Sequence, residues 1–214
     1  MKTVLCYGDS ITWGTDPANG GLRHAPDDRW PSALQAGLGT SFHVIAEGLG
    51  GRTTAFDDWL VDADRNGARI LPTILQTHRP VDCVILMLGT NDLKPGTAGN
   101  AASAYLGMKR CVEIVQQHSP RLPGAMPAKV IIVAPPHVVA TKDPFFADLF
   151  DGAIVQSHKF AGYYAALAVE MGCGFFDAST VAKASAIDGV HLDAANTRAI
   201  GAALVSKVKE ILAN

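Results

Sequence analysis

The sequence predicts an α/β protein: a three-layer α/β/α sandwich built on a five-stranded parallel sheet. Three observations carry this expectation. Short apolar runs alternate with longer runs of helical periodicity along all 214 residues. The run at 81–88, VDCVILML, is apolar almost throughout, as in a parallel strand covered on both faces. Small or turn-forming residues follow the strand-like runs, where a βα unit must change direction.

Taken in order, Thr3 to Tyr7 is the first strand. Trp30 to Leu38 reads as a helix, with Asp27 or Asp28 near its start. Phe42 to Ala46 is the second strand. Arg69 to Thr77 places Leu71, Ile74 and Leu75 on one helical stripe, and Pro72 is expected in its first turn, where no N–H is required. Val81 to Leu88 is the third strand. The helix Ala101 to Gln117 turns Tyr105, Met108, Val112 and Val115 inward. Lys129 to Ala134, KVIIVA, is the fourth strand and stops at Pro135-Pro136. Phe145 to Glu170 is mostly helical, with a break expected near Gly152 or Gly162. Gly174 to Asp177 is a short fifth strand, and Ala194 to Leu212 is the last helix, with Asp193 as its cap. No repeat, low-complexity tract or linker interrupts the series, so residues 1–214 read as one domain. Five such strands suggest a flavodoxin-like arrangement, with ligands bound at the carboxyl ends of the strands beside strand one.

Composition narrows the function classes. Lys plus Arg number 18 and Asp plus Glu 20, a net charge of -2 that offers no footprint for nucleic acid or a membrane surface. A charged n-region followed by an apolar stretch is missing at the start, so no secretory signal is expected. The apolar runs are too short to span a bilayer. Cys6, Cys83, Cys111 and Cys173 are dispersed, without CxxC or Cys/His ligand spacing. They read as reduced thiols in a cytoplasmic protein that needs no metal or other cofactor.

The strand ends carry the chemistry. Strand one runs into Gly8-Asp9-Ser10, strand two into Glu47-Gly48-Leu49-Gly50-Gly51-Arg52-Thr53, and strand three into Gly89-Thr90-Asn91-Asp92. Asp188-Gly189-Val190-His191 follows strand five. A serine needs a base to become a nucleophile, and His191 can take and return its proton. Asp188, three residues before His191, can fold back on the ring and fix its tautomer. The backbone N–H groups of Ser10 and Gly51 and the side-chain amide of Asn91 suit an oxyanion pocket, where losing one donor costs about 3 kcal/mol.

These four blocks resemble, in order and spacing, those of the SGNH (GDSL-type) hydrolases. CYGDSITWG, DRW at 28–30, EGLGGRTT, RNGA at 65–68, MLGTND and GVHLDAANTR are similar to one branch, the small bacterial aryl esterases that also act as acyltransferases and perhydrolases. The resemblance spans essentially the whole chain. It implies Ser10 as nucleophile, His191 as base, Asp188 as its acid, and Ser10, Asn91 and a glycine of the second block as oxyanion donors, with Gly51 preferred over Gly50 on counting back from Arg52. It further implies a small ester substrate, a water or alcohol acceptor, and a homo-oligomer. Ile11 stands where the family usually has Leu.

Other roles compete for some of these residues. Ser10 could cap the helix that follows it. Asp9 and Asp92 read as structural carboxylates, and Lys94 as a solvated loop charge. Trp13 either lines the substrate pocket or packs the first loop. Phe145, Phe146, Leu149 and Phe150, in the segment 143–152, either line the pocket or fill the core. A carbohydrate acetylesterase, a thioesterase or a lysophospholipase would use the same site. A non-catalytic flavodoxin-like module is disfavoured, because neither G-x-G-x-x-G nor a P-loop occurs. The G-x-S-x-G elbow of α/β-hydrolases is also absent.

Overall fold

A computed structural model describes residues 1–118 and 122–213. Five parallel strands, β1 (Lys2–Gly8), β2 (Phe42–Gly48), β3 (Cys83–Met87), β4 (Lys129–Ala134) and β5 (Gly174–Asp177), form one sheet in the order β2-β1-β3-β4-β5. The order reverses direction at β1, the position at which an open α/β sheet leaves a crevice.

Both faces of the sheet are covered. Leu5 and Tyr7 of β1, Val84 and Leu86 of β3, and Val130 and Ile132 of β4 face a core completed by α3 (Gly67–His78), α4 (Ala101–Gln117) and α7 (Phe160–Met171). Their neighbours Val4, Cys6, Cys83, Ile85, Ile131 and Val133 face the opposite core, closed by α2 (Trp30–Leu38) and α8 (Ala194–Ala213). Alternate side chains leave a strand on opposite sides, so an unbroken apolar run is what a doubly covered strand requires. Cys6, Cys83 and Cys111 are buried thiols within these layers, and Cys173 is half-buried.

Helix α2 runs from Trp30 to Leu38 as expected, and three local features differ from the sequence reading, each for a physical reason. Helix α3 begins at Gly67 because the Asn66 side chain caps it, accepting from Arg69 N at 3.1 Å. Pro72 consequently lies inside the helix rather than in its first turn. The start of α2 is not capped by Asp27 or Asp28. Those two residues form a 3-10 turn, Asp28 pairs with Arg198 and its carbonyl accepts from Thr197. The long segment before β5 splits into α5 (Pro144–Leu149), α6 (Ala153–Ser157) and α7. Gly152, at φ +74°, makes the first break. At the second, Ser157 Oγ accepts from Val138 N at 3.1 Å and donates to the Ile154 carbonyl at 2.8 Å. Gly162 lies within α7 and breaks nothing. Asp193 caps α8 as expected, accepting from Asn196 N at 2.8 Å.

The first short helix, α1 (Ser10–Trp13), crosses directly over the ends of β1 and β2. A Cβ on Gly48 would stand 2.1 Å from Trp13 N, so this crossing requires glycine in β2. That contact sets Ser10 at the carboxyl edge of the sheet.

Candidate active site

Asp9, not Ser10, caps α1: its Oδ1 accepts from Ile11 N at 2.9 Å. The Ser10 hydroxyl is thereby left for another partner, His191 Nε2 at 2.9 Å. On the far side of the ring, Nδ1 lies 2.6 Å from Asp188 Oδ2. The other carboxylate oxygen of Asp188 accepts from both Val190 N and His191 N at 2.9 Å. Gly189 makes this tight fold possible at φ +79°. Burial pushes the Asp188 carboxyl up, but the hydrogen bond and charge of His191 and the two backbone donors outweigh it. The net effect holds Asp188 below the usual carboxylate range. Ser10, Asp188 and His191 are all at least nine-tenths buried. A proton on Nδ1, shared with the carboxylate, leaves Nε2 unprotonated and able to receive the hydroxyl proton.

The expected oxyanion donors surround the same hydroxyl. The N–H groups of Ser10 and Gly51 have no hydrogen-bond partner among the described residues. Gly51 sits at φ +81°, and a Cβ there would collide with the Arg65 guanidinium at 2.4 Å. Arg65 Nε donates to the Gly50 carbonyl at 3.0 Å. Because a trans peptide is planar, gripping that oxygen turns the Gly51 N–H to the opposite side. Asn91 Nδ2 donates to the Arg52 carbonyl at 3.2 Å and reaches Asp9 Oδ2 only at 3.4 Å, which leaves its second hydrogen weakly engaged. The Arg52 guanidinium stacks on Tyr7 and donates to the carbonyls of Gly8 (2.8 Å) and Glu47, tying the ends of β1 and β2 together.

A cavity of about 230 Å³ opens here, lined by Ser10, Gly51, Asn91 and His191 together with Phe146, Leu149 and Phe150. A second, apolar cavity of about 440 Å³ adjoins it across Phe146, Phe150 and Val190. Phe146 meets the His191 ring edge-on at 6.0 Å and stacks with Phe150. Two expected pocket residues are not among those lining the smaller cavity. Trp13 packs against the first loop, its ring under the Arg23 guanidinium at 5.1 Å. Phe145 is 67% exposed, because α5 turns Phe146 and Leu149, but not Phe145, toward Ser10.

The model of the GDSL-like lipase/acylhydrolase family matches residues 6–199. The chain belongs to that family. A carbohydrate acetylesterase family member from Sinorhizobium meliloti is 52% identical, superposes with a TM-score of 0.97, and the match covers 100% of both chains. The native aryl esterase of M. smegmatis is 40% identical with a TM-score of 0.93, covering 99% of this chain and 100% of the other. A further carbohydrate acetylesterase from Sinorhizobium meliloti is 38% identical with a TM-score of 0.93, covering 98% and 99%. No curated protein matches the chain in sequence.

Around this site lie residues to which motif reading assigned no place in it. Lys94 is not a solvated loop charge: its side chain is 13% exposed and lines the Ser10 cavity. Arg65 and Thr15 line it as well, and Asp58 holds Arg65 at 2.8 Å. The stretch 57–65 carries four Asp and one Arg, a pattern that does not say which of them reach the cavity. Among the described residues no group of three His, Cys, Asp or Glu side chains is placed to hold a metal ion.

Asp9 and Asp92 lie beneath the site, both almost fully buried. Asp92 accepts from Thr54 N and from the Thr54 hydroxyl, which pins the loop after β2 to the one after β3. Burial raises Asp9 to about 6 and Asp92 to about 7, against weaker lowering by their hydrogen bonds. A carboxyl raised in the fold binds more protons folded than unfolded. Its contribution to stability is therefore full at low pH and declines as pH rises from about 4 through about 7. Asp92→Asn removes this ionisation while keeping an acceptor for Thr54 N. The melting temperature of Asp92→Asn minus that of wild type is expected to increase from pH 5 to about 7 and to level off toward pH 8. A difference that stays constant over that interval would show that Asp92 does not titrate there.

Proposed function

We propose that the protein is a serine esterase that cleaves small aryl or short-chain acyl esters through an acyl-enzyme on Ser10, and passes the acyl group to water, alcohols or peroxide. The observation that carries this reading is the unbroken line Ser10 Oγ, His191 Nε2 (2.9 Å), His191 Nδ1, Asp188 Oδ2 (2.6 Å). Ser10 Oγ attacks the ester carbonyl carbon as its proton moves to His191 Nε2. Negative charge develops on the carbonyl oxygen, where the N–H groups of Ser10 and Gly51 and the Asn91 amide can meet it. The C–O bond to the alcohol or phenol then breaks, and His191 returns the proton to the departing oxygen. A second acceptor, activated by the same imidazole, attacks the Ser10 ester and regenerates the hydroxyl. The apolar wall of Phe146, Leu149 and Phe150 favours an organic acceptor over water by restricting access.

The names borne by the similar structures, aryl esterase and carbohydrate acetylesterase, support ester cleavage in two substrate settings. The test is competition for the acyl group. At a fixed alcohol concentration, the ratio of new ester to free acetate should be identical from p-nitrophenyl acetate, phenyl acetate and vinyl acetate. All three then pass through one intermediate. A ratio that follows the leaving group would contradict an acyl-enzyme. Turnover confined to acetylated sugars would favour the carbohydrate acetylesterase alternative.

A further inference from the structure

The wall of the Ser10 cavity carries a cation with no hydrogen-bonded counter-ion. Among the described residues Asp58 is the one carboxylate paired with Lys94, and both its oxygens are engaged elsewhere. Oδ2 accepts from Arg65 Nη1 at 2.8 Å and Oδ1 from Leu60 N at 3.2 Å. Lys94 Nζ is left 3.8 Å from Oδ2, outside hydrogen-bond range. Among the described residues the ammonium has no hydrogen bond; it sits 5.6 Å above the Phe150 ring. Its neighbour Arg65 adds a second positive charge, so Asp58 offsets one of two cations lining the cavity. Burial lowers the Lys94 pKa; Asp58 raises it, Arg65 lowers it, and Asp9 and Asp92 raise it by less, so the surrounding carboxylates do not offset the loss of water.

An ammonium largely removed from water, with three donors and no acceptor, fits a ligand that brings the acceptor itself. A simple neutral ester supplies one strong acceptor, its carbonyl oxygen, for which other donors are already arranged. We propose that the site selects esters that also carry a carboxylate, on the acyl or the alcohol part, and that Lys94 is the residue that binds it. This rests on the esterase reading above and adds the substrate class. Arg65, held by Gly50 and Asp58, contributes field rather than a free fork.

The experiment compares kcat/KM for two matched pairs of esters. One pair is mono-p-nitrophenyl glutarate and its methyl ester, with the charge on the acyl side. The other is 4-acetoxybenzoate and its methyl ester, with the charge on the leaving group. In at least one pair, the anionic-to-neutral ratio should fall about tenfold from wild type to Lys94→Met. In Lys94→Arg it should stay within about threefold of wild type. The same ratio in wild type should fall as sodium chloride is raised. Ratios unchanged by Lys94→Met in both pairs, or insensitive to salt in the wild-type protein, would overturn the proposal. Absence of turnover with all four esters would instead overturn the esterase reading on which it rests.

Discussion

Ser10→Ala should lower kcat/KM for p-nitrophenyl acetate by roughly 10^4- to 10^6-fold, with the melting temperature changed little. The size follows from what the hydroxyl does. It is the atom that forms the bond to the acyl carbon, so its removal deletes the pathway rather than weakening a contact. What remains is the oxyanion pocket acting on direct attack by water, which accounts for the residual rate in the range. Little stability is at stake because Asp9 supplies the cap of α1. Among the described residues Ser10 Oγ makes one side-chain hydrogen bond, to His191. Progress curves with p-nitrophenyl acetate and a thermal melt check both halves. Activity within tenfold of wild type would remove Ser10 from the chemistry.

Asp188→Asn should lower kcat by about 10^4-fold at pH 7 while His191 stays in place. The backbone decides the orientation of the new amide. Val190 N and His191 N both donate to Asp188 Oδ1, so the Asn oxygen must occupy that position. Its NH2 group is then turned toward His191 Nδ1, which must become an acceptor. The ring proton moves to Nε2, facing Ser10, and the imidazole can no longer receive the hydroxyl proton. The reverse orientation would set two N–H donors against an NH2 group. A pH–rate profile of the variant, with its structure, checks this. Retention of more than a tenth of wild-type kcat would show that Asp188 does not set the tautomer.

The layers of the fold were legible because their signals are local. KVIIVA and VDCVILML can satisfy two cores at once only as inner parallel strands, and Ala101–Gln117 has one apolar stripe. The residues that the structure brings together at Ser10 were legible for a different reason. Each follows a strand, and parallel strands end at one edge. Contacts made between loops were not legible. Lys94 meets Asp58 across 36 positions, and nothing in either neighbourhood marks the other. The directions of Trp13 and Phe145 depend on the rotation of α1 and α5, helices of four and six residues that are too short to show a periodic face. Asn66 was hidden as a cap because the stretch around it reads as loop until its bond to Arg69 N is seen.

The central claim is that the acyl group is carried by Ser10, and a covalent trap tests it most directly. Wild-type protein treated with a fluorophosphonate, digested and weighed by mass spectrometry should carry one adduct per chain, on the peptide containing Ser10. Loss of p-nitrophenyl acetate turnover should track its formation, and Ser10→Ala should take up none. An adduct on another residue, or full ester turnover with Ser10 blocked, would contradict the mechanism.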